Sequence, residues 1–395
     1  KTRIHILVKM YKKEKLKKNF FNVIYVIPRP DGGGAELLFR KVGALLHKLG
    51  FNISIIYFQN PSNLNLMPYE YCLHLPGPRS IKAIWSLRKI IIKLIQKKPQ
   101  FTIVHTHLTW PLYYSIFARP NSYIPKIFGL KLVNFFTEHN TFNRRRKFLF
   151  LKPLERYIYS KYYKITCVSE GVRKSLDNWL NDKNLKKKLL TIPNGSRIFD
   201  IIYRKKIDPK KIRLLSIGSL TTQKGFDIAI QTIALLKDNI KSYTILGEGD
   251  QKKKLLALAE KLGVSDKLIL PGYVKNIKPY IAKADFGLMP SRWEGFGLVA
   301  IEMLSTGLPL ISTRVHGHSE VVGTCSSVQL VKPNSSKALA TGILKAINHL
   351  EAVGVKKSAL EAKKQSEIFT MDSMIFRFEE EYLKAYDKFE LTKKR

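Results

Sequence analysis

The feature that most constrains this chain is a repeated alternation of short apolar runs with segments of helical periodicity. The run FNVIYVIP (21–28) leads into a glycine cluster, DGGG (31–34), and the next segment has apolar residues at helical spacing up to Gly50. Similar strand-like runs follow at 52–58, 101–108, 131–140, 165–170 and 189–195. Strands that alternate with crossover helices form parallel sheets. The first half is therefore predicted to be an α/β domain.

The same alternation restarts after the polar, basic stretch that follows Gly195. Further strand-like runs lie at 213–220, 242–249, 267–272, 284–291 and 309–315, and helices are predicted over 251–262, 275–283 and 298–306. The predicted fold class is α/β, with two Rossmann-like parallel-sheet domains that face each other across a cleft.

The alternation also predicts where the domains begin and end. We expect a basic N-terminal extension (1–20), a first α/β domain (21–205), a second α/β domain (206–368) and a C-terminal helix and tail (369–395) that cross back to the first domain. The apolar stripe of this last helix is predicted to consist of Met374, Phe376, Tyr382 and Tyr386.

The net charge narrows the classes of partner. The 395 residues include 69 Lys+Arg and 30 Asp+Glu, a net charge of +39, and the 45% hydrophobic content is too high for a disordered polycation. Residues 1–200 contribute 37 Lys+Arg and 10 Asp+Glu, a net charge of +27. Such a field favours a phosphate-rich substrate, an anionic membrane or a nucleic acid. Nucleic acid is the least favoured, because the sequence contains no recognisable RNA- or DNA-reading motif.

The cysteines and the apolar runs indicate the cellular compartment in which the protein is expected. Cys72, Cys167 and Cys325 are widely separated and are interpreted as packing residues in a reducing environment. Every apolar run is interrupted by Lys or Arg before the ~18 to 20 residues that a transmembrane helix needs. Residues 1–20 lack the apolar core and cleavage site of a signal peptide. We expect a cytoplasmic protein.

The most specific segment is SRWEGFGLVAIE (291–302). It places a glycine loop between a strand and a helix that begins near Leu298, so free backbone amides at the helix N-terminus face the end of the sheet. That geometry suits a phosphate. Glu294 and Glu302 flank it, and carboxylates are poor phosphate ligands but good acceptors for the hydroxyls of a ribose and a sugar.

With this segment the chain resembles the retaining GT-B glycosyltransferases of family 4 (glycosyl transferases group 1), whose hallmark is E-x7-E in the context EGFGL. The resemblance covers roughly residues 21–388. The other matching segments, in order, are GGAE (33–36), TEH (137–139), CVSE (167–170), PNG (193–195), IGSL (217–220), KG (224–225), GEG (247–249) and the block from Gly317 to Glu320.

The resemblance implies a role for each matching residue of the second half. Glu302 would hold the ribose hydroxyls of the nucleotide, and Glu294 a hydroxyl of the donor sugar. Phe296, Gly297 and Leu298 would offer backbone amides to the sugar and the diphosphate.

In the first half, Gly33 and Gly34 would let the backbone approach the β-phosphate because no Cβ intervenes. His139 would contact the sugar, with a structural histidine as the alternative. Glu36 is interpreted as a first-turn helix charge.

One position departs from the family pattern. Lys224 would stabilise the departing nucleoside diphosphate, but Ser219 stands where the family has an arginine, which removes a charged hydrogen-bond donor. Arg292, Arg314 and His316 are the alternative sources of a cation for this position.

No metal is expected. His105 and His107 share one face of a strand, but no third residue with ligand spacing accompanies them. The resemblance implies transfer without a bound metal or cofactor, with a nucleotide sugar, favoured as a UDP-sugar, as donor substrate.

The implied function is transfer of a sugar, with retention of configuration, to a saccharide acceptor, expected to be lipid-linked or a lipopolysaccharide or capsule precursor. The alternatives are a catalytically impaired partner subunit of the same fold, which Ser219 would explain, and a nucleic-acid-binding protein, which the charge alone would explain.

Peripheral attachment to the anionic cytoplasmic membrane face is expected from the first domain. The helix over 81–98 and the basic run 144–147 supply cations. Residues 4–18, if helical, would form an interfacial apolar stripe; the alternative is that residues 1–20 are a solvated basic extension. That stripe consists of Ile4, Leu7, Val8 and Tyr11.

Overall fold

Two parallel β-sheets organise the chain, as seen in a computed structural model that describes residues 21–77, 79–119, 132–204 and 207–393. Every pair of neighbouring strands within each sheet is parallel. The predicted fold class, two Rossmann-like domains, is confirmed.

The first sheet has seven strands in the order β3-β2-β1-β4-β5-β6-β7. The central strands β1 and β4 are buried along their whole length, because helices cover both faces of a parallel sheet. In chain order the strands are Phe21–Ile27 (β1), Asn52–Tyr57 (β2), Glu70–Cys72 (β3), Phe101–His107 (β4), Leu132–Glu138 (β5), Lys164–Cys167 (β6) and Leu189–Thr191 (β7).

Six helices accompany this sheet in the described part of the chain. They bury their apolar faces on it, as the period of 3.6 residues requires. Their bounds are Gly34–Lys48 (α1), Lys82–Lys97 (α2), Thr109–Phe117 (α3), Lys152–Ser160 (α4), Glu170–Leu180 (α5) and Lys183–Lys186 (α6).

The second sheet has six strands in the order β10-β9-β8-β11-β12-β13. The strands are Ile212–Ile217 (β8), Ile240–Leu246 (β9), Leu268–Gly272 (β10), Phe286–Met289 (β11), Leu310–Thr313 (β12) and Val328–Val331 (β13). The helices of this half are Phe226–Leu235 (α7), Lys252–Lys261 (α8), Lys278–Lys283 (α9), Leu298–Ser305 (α10), His316–Val322 (α11), Ser336–Val353 (α12), Val355–Ser366 (α13) and Met371–Lys393 (α14).

The last helix, α14, packs on the first sheet rather than on the second. Met374, Ile375, Phe378 and Tyr382 lie in one core cluster with residues of β1 and α1. The predicted stripe is wrong at Phe376, which is 36% exposed. Ile375 and Phe378 are buried instead. The buried face of α14 is therefore wider than the stripe of four predicted residues.

Several element predictions differ from the structure in length. The strand predicted over 165–170 ends at Cys167, because Ser169 caps α5 and accepts a hydrogen bond from the amide of Val172 at 3.2 Å. The short edge strands β3 and β13 were not predicted, since a strand of three or four residues is too short to show a period. The helices α12 and α13 were not predicted either.

Two expectations fall outside the described residues. The N-terminal extension (1–20), with its stripe of Ile4, Leu7, Val8 and Tyr11, lies there, and so do residues 205–206, where the domain boundary is predicted. Among the helices that the structure does describe, none is both long and apolar enough to cross a bilayer.

Candidate functional site

The candidate site lies where the carboxyl ends of the two sheets meet. Ligands of open α/β sheets bind at this edge. The loop from Glu294 to Gly297, hereafter the donor loop, follows β11, and His139 follows β5. A Cβ on Gly295 would overlap the carbonyl oxygen of His139. The two domains are therefore in direct contact at the donor loop.

Glycines let the donor loop take this path. Gly297 has a φ of +103°, a conformation that residues with a Cβ rarely adopt, and it is the N-cap of α10. A Cβ on Gly317 would lie 2.6 Å from the amide nitrogen of Phe296. Phe296 itself is buried and packs edge-on against Phe369 at 5.5 Å. The loop is thus clamped with its amides at the start of α10.

A second contact joins the donor loop to the first domain. The hydroxyl of Ser169 donates to the carbonyl oxygen of Gly295 at 2.7 Å. Next to it, the carboxylate of Glu320 accepts from the amides of Glu170 and Gly171 at 2.6 and 2.7 Å. A carboxylate from α11 thereby caps α5 of the other domain, where the helix dipole favours negative charge.

Glu294 forms an ion pair with Lys224. The Nζ of Lys224 lies 2.5 Å from Oε2 of Glu294. Gly218 leaves room for this side chain, since a Cβ there would lie 3.2 Å from Cε of Lys224. Burial alone would raise the pKa of Glu294, but the charge of Lys224 and the hydrogen bond from its Nζ outweigh burial and hold the pKa below the usual value.

His318 is a further member of this group that the sequence did not single out. Its ring is fully buried, Nδ1 lies 2.9 Å from Oγ of Ser312, and Nε2 lies 3.9 Å from Oε2 of Glu294. Burial lowers the pKa of His318 to about 4, against the opposing influence of Glu294. The ring therefore supports the donor loop as a neutral group.

Glu302 lies on α10 and pairs with Arg197, which follows β7. Nε and a terminal nitrogen of Arg197 lie 3.0 and 2.9 Å from Oε1 of Glu302. Both contacts use the same carboxylate oxygen, so Oε2 keeps its accepting capacity for a hydroxyl. Arg197 was not predicted, because the sequence gives no spacing rule that links it to Glu302.

Gly33 and Gly34 stand opposite the start of α10. Both are exposed, and a Cβ on Gly34 would lie 3.6 Å from Cδ1 of Leu298. Glycine is the N-cap of both α1 and α10, so neither helix is capped by its N-cap side chain. Two helix N-termini thus approach each other across the cleft, an arrangement suited to an anion.

Glu36 is in the first turn of α1, as predicted. Its carboxyl folds back over the glycine loop, where a Cβ on Gly32 would overlap it. Burial raises the pKa of Glu36.

Ser219 is exposed beside the Lys224 side chain, next to Gly218. Of the three residues considered as substitutes for a family arginine, Arg292 is already engaged: its terminal nitrogens contact Asp227 at 2.6 and 2.8 Å. This ion pair weakens the alternative that Arg292 replaces the family arginine. Arg314 and His316 are exposed.

His139 meets the donor loop through its backbone, and its ring is turned into the first domain. The ring packs edge-on against Phe39 at 5.6 Å, and Nε2 lies 3.4 Å from Nδ1 of His107. Burial lowers the pKa of His139 to about 3. The role of its ring toward a sugar stays a prediction.

His105 and His107 occupy the core beneath this edge. His105 is hydrogen-bonded on both nitrogens, to Tyr382 at 2.5 Å and to Thr137 at 2.7 Å. Within the described ranges, no three His, Cys, Asp or Glu side chains are grouped as metal ligands. His105 is thus a structural histidine that ties α14 to the sheet.

In comparison with known proteins, both halves of the chain match glycosyltransferase family models. Residues 32–196 match the family model described as Glycosyltransferase Family 4, and residues 199–357 match that of Glycosyl transferases group 1. The two models meet within the segment that connects the sheets and together span most of the chain.

Relatives and solved structures agree with this assignment. An uncharacterized glycosyltransferase of Methanocaldococcus jannaschii is 28% identical over 280 residues, 70% of this chain and 74% of the relative. The lipopolysaccharide glucosyltransferase WaaG of Escherichia coli is 32% identical over 163 residues, 40% of this chain and 42% of the relative. The crystal structure of Anabaena HepE with UDP-glucose superimposes with a TM-score of 0.73 at 16% identity, covering 92% of this chain and 99% of HepE.

Proposed function

Since the chain belongs to the GT-B glycosyltransferases of family 4, we propose that it transfers a sugar from a UDP-sugar to a saccharide acceptor with retention of configuration. The observation that carries the proposal is the Lys224–Glu294 pair at the donor loop, beside the facing N-termini of α1 and α10. Cation, helix termini and carboxylates together suit the diphosphate and hydroxyls of a nucleotide sugar.

Each part of the donor has a counterpart in the cleft. Glu302 accepts the ribose hydroxyls through Oε2, while Arg197 holds Oε1. The amides at Phe296, Gly297 and Leu298 receive the sugar and diphosphate. UDP is favoured as the nucleotide because HepE, which shares the fold, was crystallised with UDP-glucose.

Glu294 and Lys224 have different tasks in the reaction. Glu294 orients the donor sugar by accepting a hydroxyl, and Lys224 leaves that carboxylate to follow the diphosphate as its negative charge grows. Gly33 and Gly34 bring backbone amides to the β-phosphate. His139 lies on the acceptor side of the cleft, where its backbone carbonyl contacts Gly295.

The reaction proceeds on one face of the sugar. The acceptor hydroxyl oxygen bonds to the anomeric carbon as the bond from that carbon to the diphosphate oxygen breaks. The departing phosphate oxygen takes the acceptor proton, so the chain supplies no nucleophile and requires no metal. The pKa of His139, about 3, keeps this histidine neutral throughout.

The acceptor is a lipid-linked saccharide or a lipopolysaccharide precursor at the cytoplasmic membrane face. The relative WaaG is named as a lipopolysaccharide glucosyltransferase. The net charge of +39 also favours an anionic surface or substrate.

The first prediction tests the donor site. A thermal-shift panel of UDP-, GDP- and ADP-sugars should show stabilisation by UDP-sugars, about 2.7 kcal/mol at 100 times the Kd. Glu302→Ala should weaken UDP binding about tenfold or more through loss of the ribose contacts, whereas Glu294→Ala should mainly lower the turnover of donor hydrolysis or transfer.

The matched control is Glu260→Ala, which removes an exposed carboxylate of α8 in the same domain and should change neither quantity. Wild-type affinity and turnover in both site variants would show that the donor site is elsewhere. Donor binding without transfer or hydrolysis would favour the impaired partner subunit instead.

A further inference from the structure

Five large side chains of the first domain are exposed together on one short segment. Phe148, Leu149, Phe150, Leu154 and Tyr157, hereafter the aromatic shoulder, each expose between 46% and 75% of their surface. Single exposed apolar residues need no explanation, but a contiguous group of this size marks an interaction site.

The backbone places these side chains on one surface. The rings of Phe148 and Phe150 are 5.8 Å apart. The 3-10 turn Leu149–Leu151 runs directly into α4, so Phe150, Leu154 and Tyr157, spaced four and three residues apart, follow one helical face.

The opposite face of the same segment is fixed to the domain. Glu155 of α4 is fully buried, accepts hydrogen bonds from Tyr113 and Trp179, both at 2.6 Å, and pairs with Arg145 at 3.1 Å. Arg146 pairs with Glu138 at 2.8 Å. The shoulder is therefore presented on a rigid base and is not a loose loop.

These ion pairs correct one expectation from the sequence. Arg145 and Arg146 of the basic run are only 18% and 9% exposed at their side chains, because buried carboxylates hold them. They are not available to a lipid phosphate, and exposed cations must come from other residues.

Three lysines that lie over aromatic rings of this region supply the positive charge. Lys147 lies over the ring of Phe142 at 5.8 Å, Lys152 over Trp179 at 5.8 Å, and Lys161 over Tyr157 at 4.5 Å. The described segment 139–169 contains eight Lys+Arg and a single carboxylate, Glu155, which is buried. Apolar and aromatic groups bordered by lysines match the interface of an anionic bilayer. Outside this segment, Asp182 lies near Arg156 of α4 and Glu170 pairs with Arg173, so the basic residues remain in excess.

We infer that the aromatic shoulder inserts into the interface of an anionic lipid bilayer and docks the enzyme on it. The inference rests on the proposed function, because docking through the shoulder brings the cleft to a lipid-linked acceptor. The residues that precede the shoulder reach the cleft: Arg146 is paired to Glu138, the residue before His139, and Phe142 contacts Trp293 of the second domain at 5.6 Å.

A second copy of this chain is the less favoured occupant. A symmetric dimer through the shoulder would bring two lysine-bordered surfaces with an excess of positive charge together, and like charges repel. An anionic membrane, in contrast, neutralises the same lysines.

The test uses lipid-specific quenching in the full chain. Leu149→Trp is mixed with vesicles of phosphatidylcholine and phosphatidylglycerol (70:30) that carry bromine on their acyl chains. We expect tryptophan quenching well above that of the wild-type chain. The matched control, Leu344→Trp on α12 of the other domain, should add no quenching. No extra quenching at Leu149→Trp would overturn the inference.

A second variant measures what the shoulder contributes to binding. F148S/L149S/F150S should reduce vesicle flotation at least tenfold, whereas L235S/L256S/L344S, which removes three exposed leucines of the second domain, should not. Residues 1–20 are present in every variant, so their contribution cancels. Equal flotation of both triple variants, or loss of dimers in place of vesicle binding, would contradict membrane docking.

UDP binding separates this inference from the proposed function. None of the three substituted residues is assigned to the donor site, so F148S/L149S/F150S should bind UDP like the wild type in a thermal-shift assay. Absence of UDP binding in the wild type would reject the proposed donor while leaving the quenching result intact.

Discussion

Glu294 is the residue on which the contacts of the cleft converge. It accepts from Lys224 at 2.5 Å, and the neutral ring of His318 lies beneath it at 3.9 Å. A buried carboxylate without a partner is costly, and the ion pair with Lys224 offsets that cost for Glu294. In the proposed reaction, the diphosphate of the donor would be a second anionic partner for Lys224.

The second prediction concerns Ser219. Because Arg292 is held by Asp227 and Ser219 is exposed beside Lys224, Ser219→Arg should add a charged hydrogen bond to the diphosphate and tighten UDP binding about tenfold or more, or ~1.5 to 3 kcal/mol. Isothermal titration with UDP measures the change.

Its control is Ser219→Gln, a long side chain without charge, which should change the affinity little. Unchanged or weaker UDP binding in Ser219→Arg would indicate that Arg314 or His316 already occupies the position when the cleft holds a nucleotide.

At the scale of elements, the donor loop joins the two domains because its residues are small where they touch. Gly295 meets the carbonyl oxygen of His139, and Ser169, the cap of α5, donates to Gly295. One loop therefore both starts α10 and seals the cleft against the end of β5.

The third prediction follows from that contact. Gly295→Ala should open the cleft, because its Cβ would overlap the carbonyl oxygen of His139. We expect transfer activity to fall at least 100-fold, with a larger radius of gyration in small-angle scattering. Gly77→Ala is the control, since a Cβ there meets nothing within 4 Å. Full activity in Gly295→Ala would mean that catalysis does not need this closed contact.

At the scale of the whole molecule, buried neutral histidines connect its parts. His105 joins β4 to α14 through Tyr382, His107 contacts His139, and His318 supports the donor loop. Burial depresses the pKa of all four. Their charge state thus couples folding to pH.

The fourth prediction is acid lability that begins near neutrality. The folded pKa values of His139 and His318, about 3 and about 4, lie below the ~6.5 of an unfolded histidine. Between these limits the unfolded chain binds more protons, so the stability is complete above pH ~6.5. It decreases by ~1.4 kcal/mol per pH unit for each histidine as the pH falls.

Urea unfolding at pH 7.5, 6.0 and 5.0 measures this slope. His107→Leu should give a shallower slope, because in the described structure its Nε2 has no hydrogen-bond partner and the ring titrates only on unfolding. The control His316→Gln alters an exposed histidine and should leave the slope unchanged. A flat wild-type profile between pH 7.5 and 5.0 would contradict neutral buried histidines.

The architecture and the position of the donor loop follow from local features of the sequence. Apolar runs and the 3.6-residue period of helices are local signals, and Gly297 has a φ of +103°, a turn conformation that favours glycine. These features predict parallel sheets and helix N-termini without knowledge of what lies across the cleft.

The pairing of charged groups, in contrast, depends on the three-dimensional fold. The Arg197–Glu302 pair, the His318 ring under Glu294 and the Glu320 cap on α5 join residues from separate elements. The basic run at 144–147 shows the same limit, since buried Glu138 and Glu155 take two of its arginines out of the surface. Such pairs depend on where the chain brings distant side chains, and burial sets the free energy of each charge, so no local spacing encodes them.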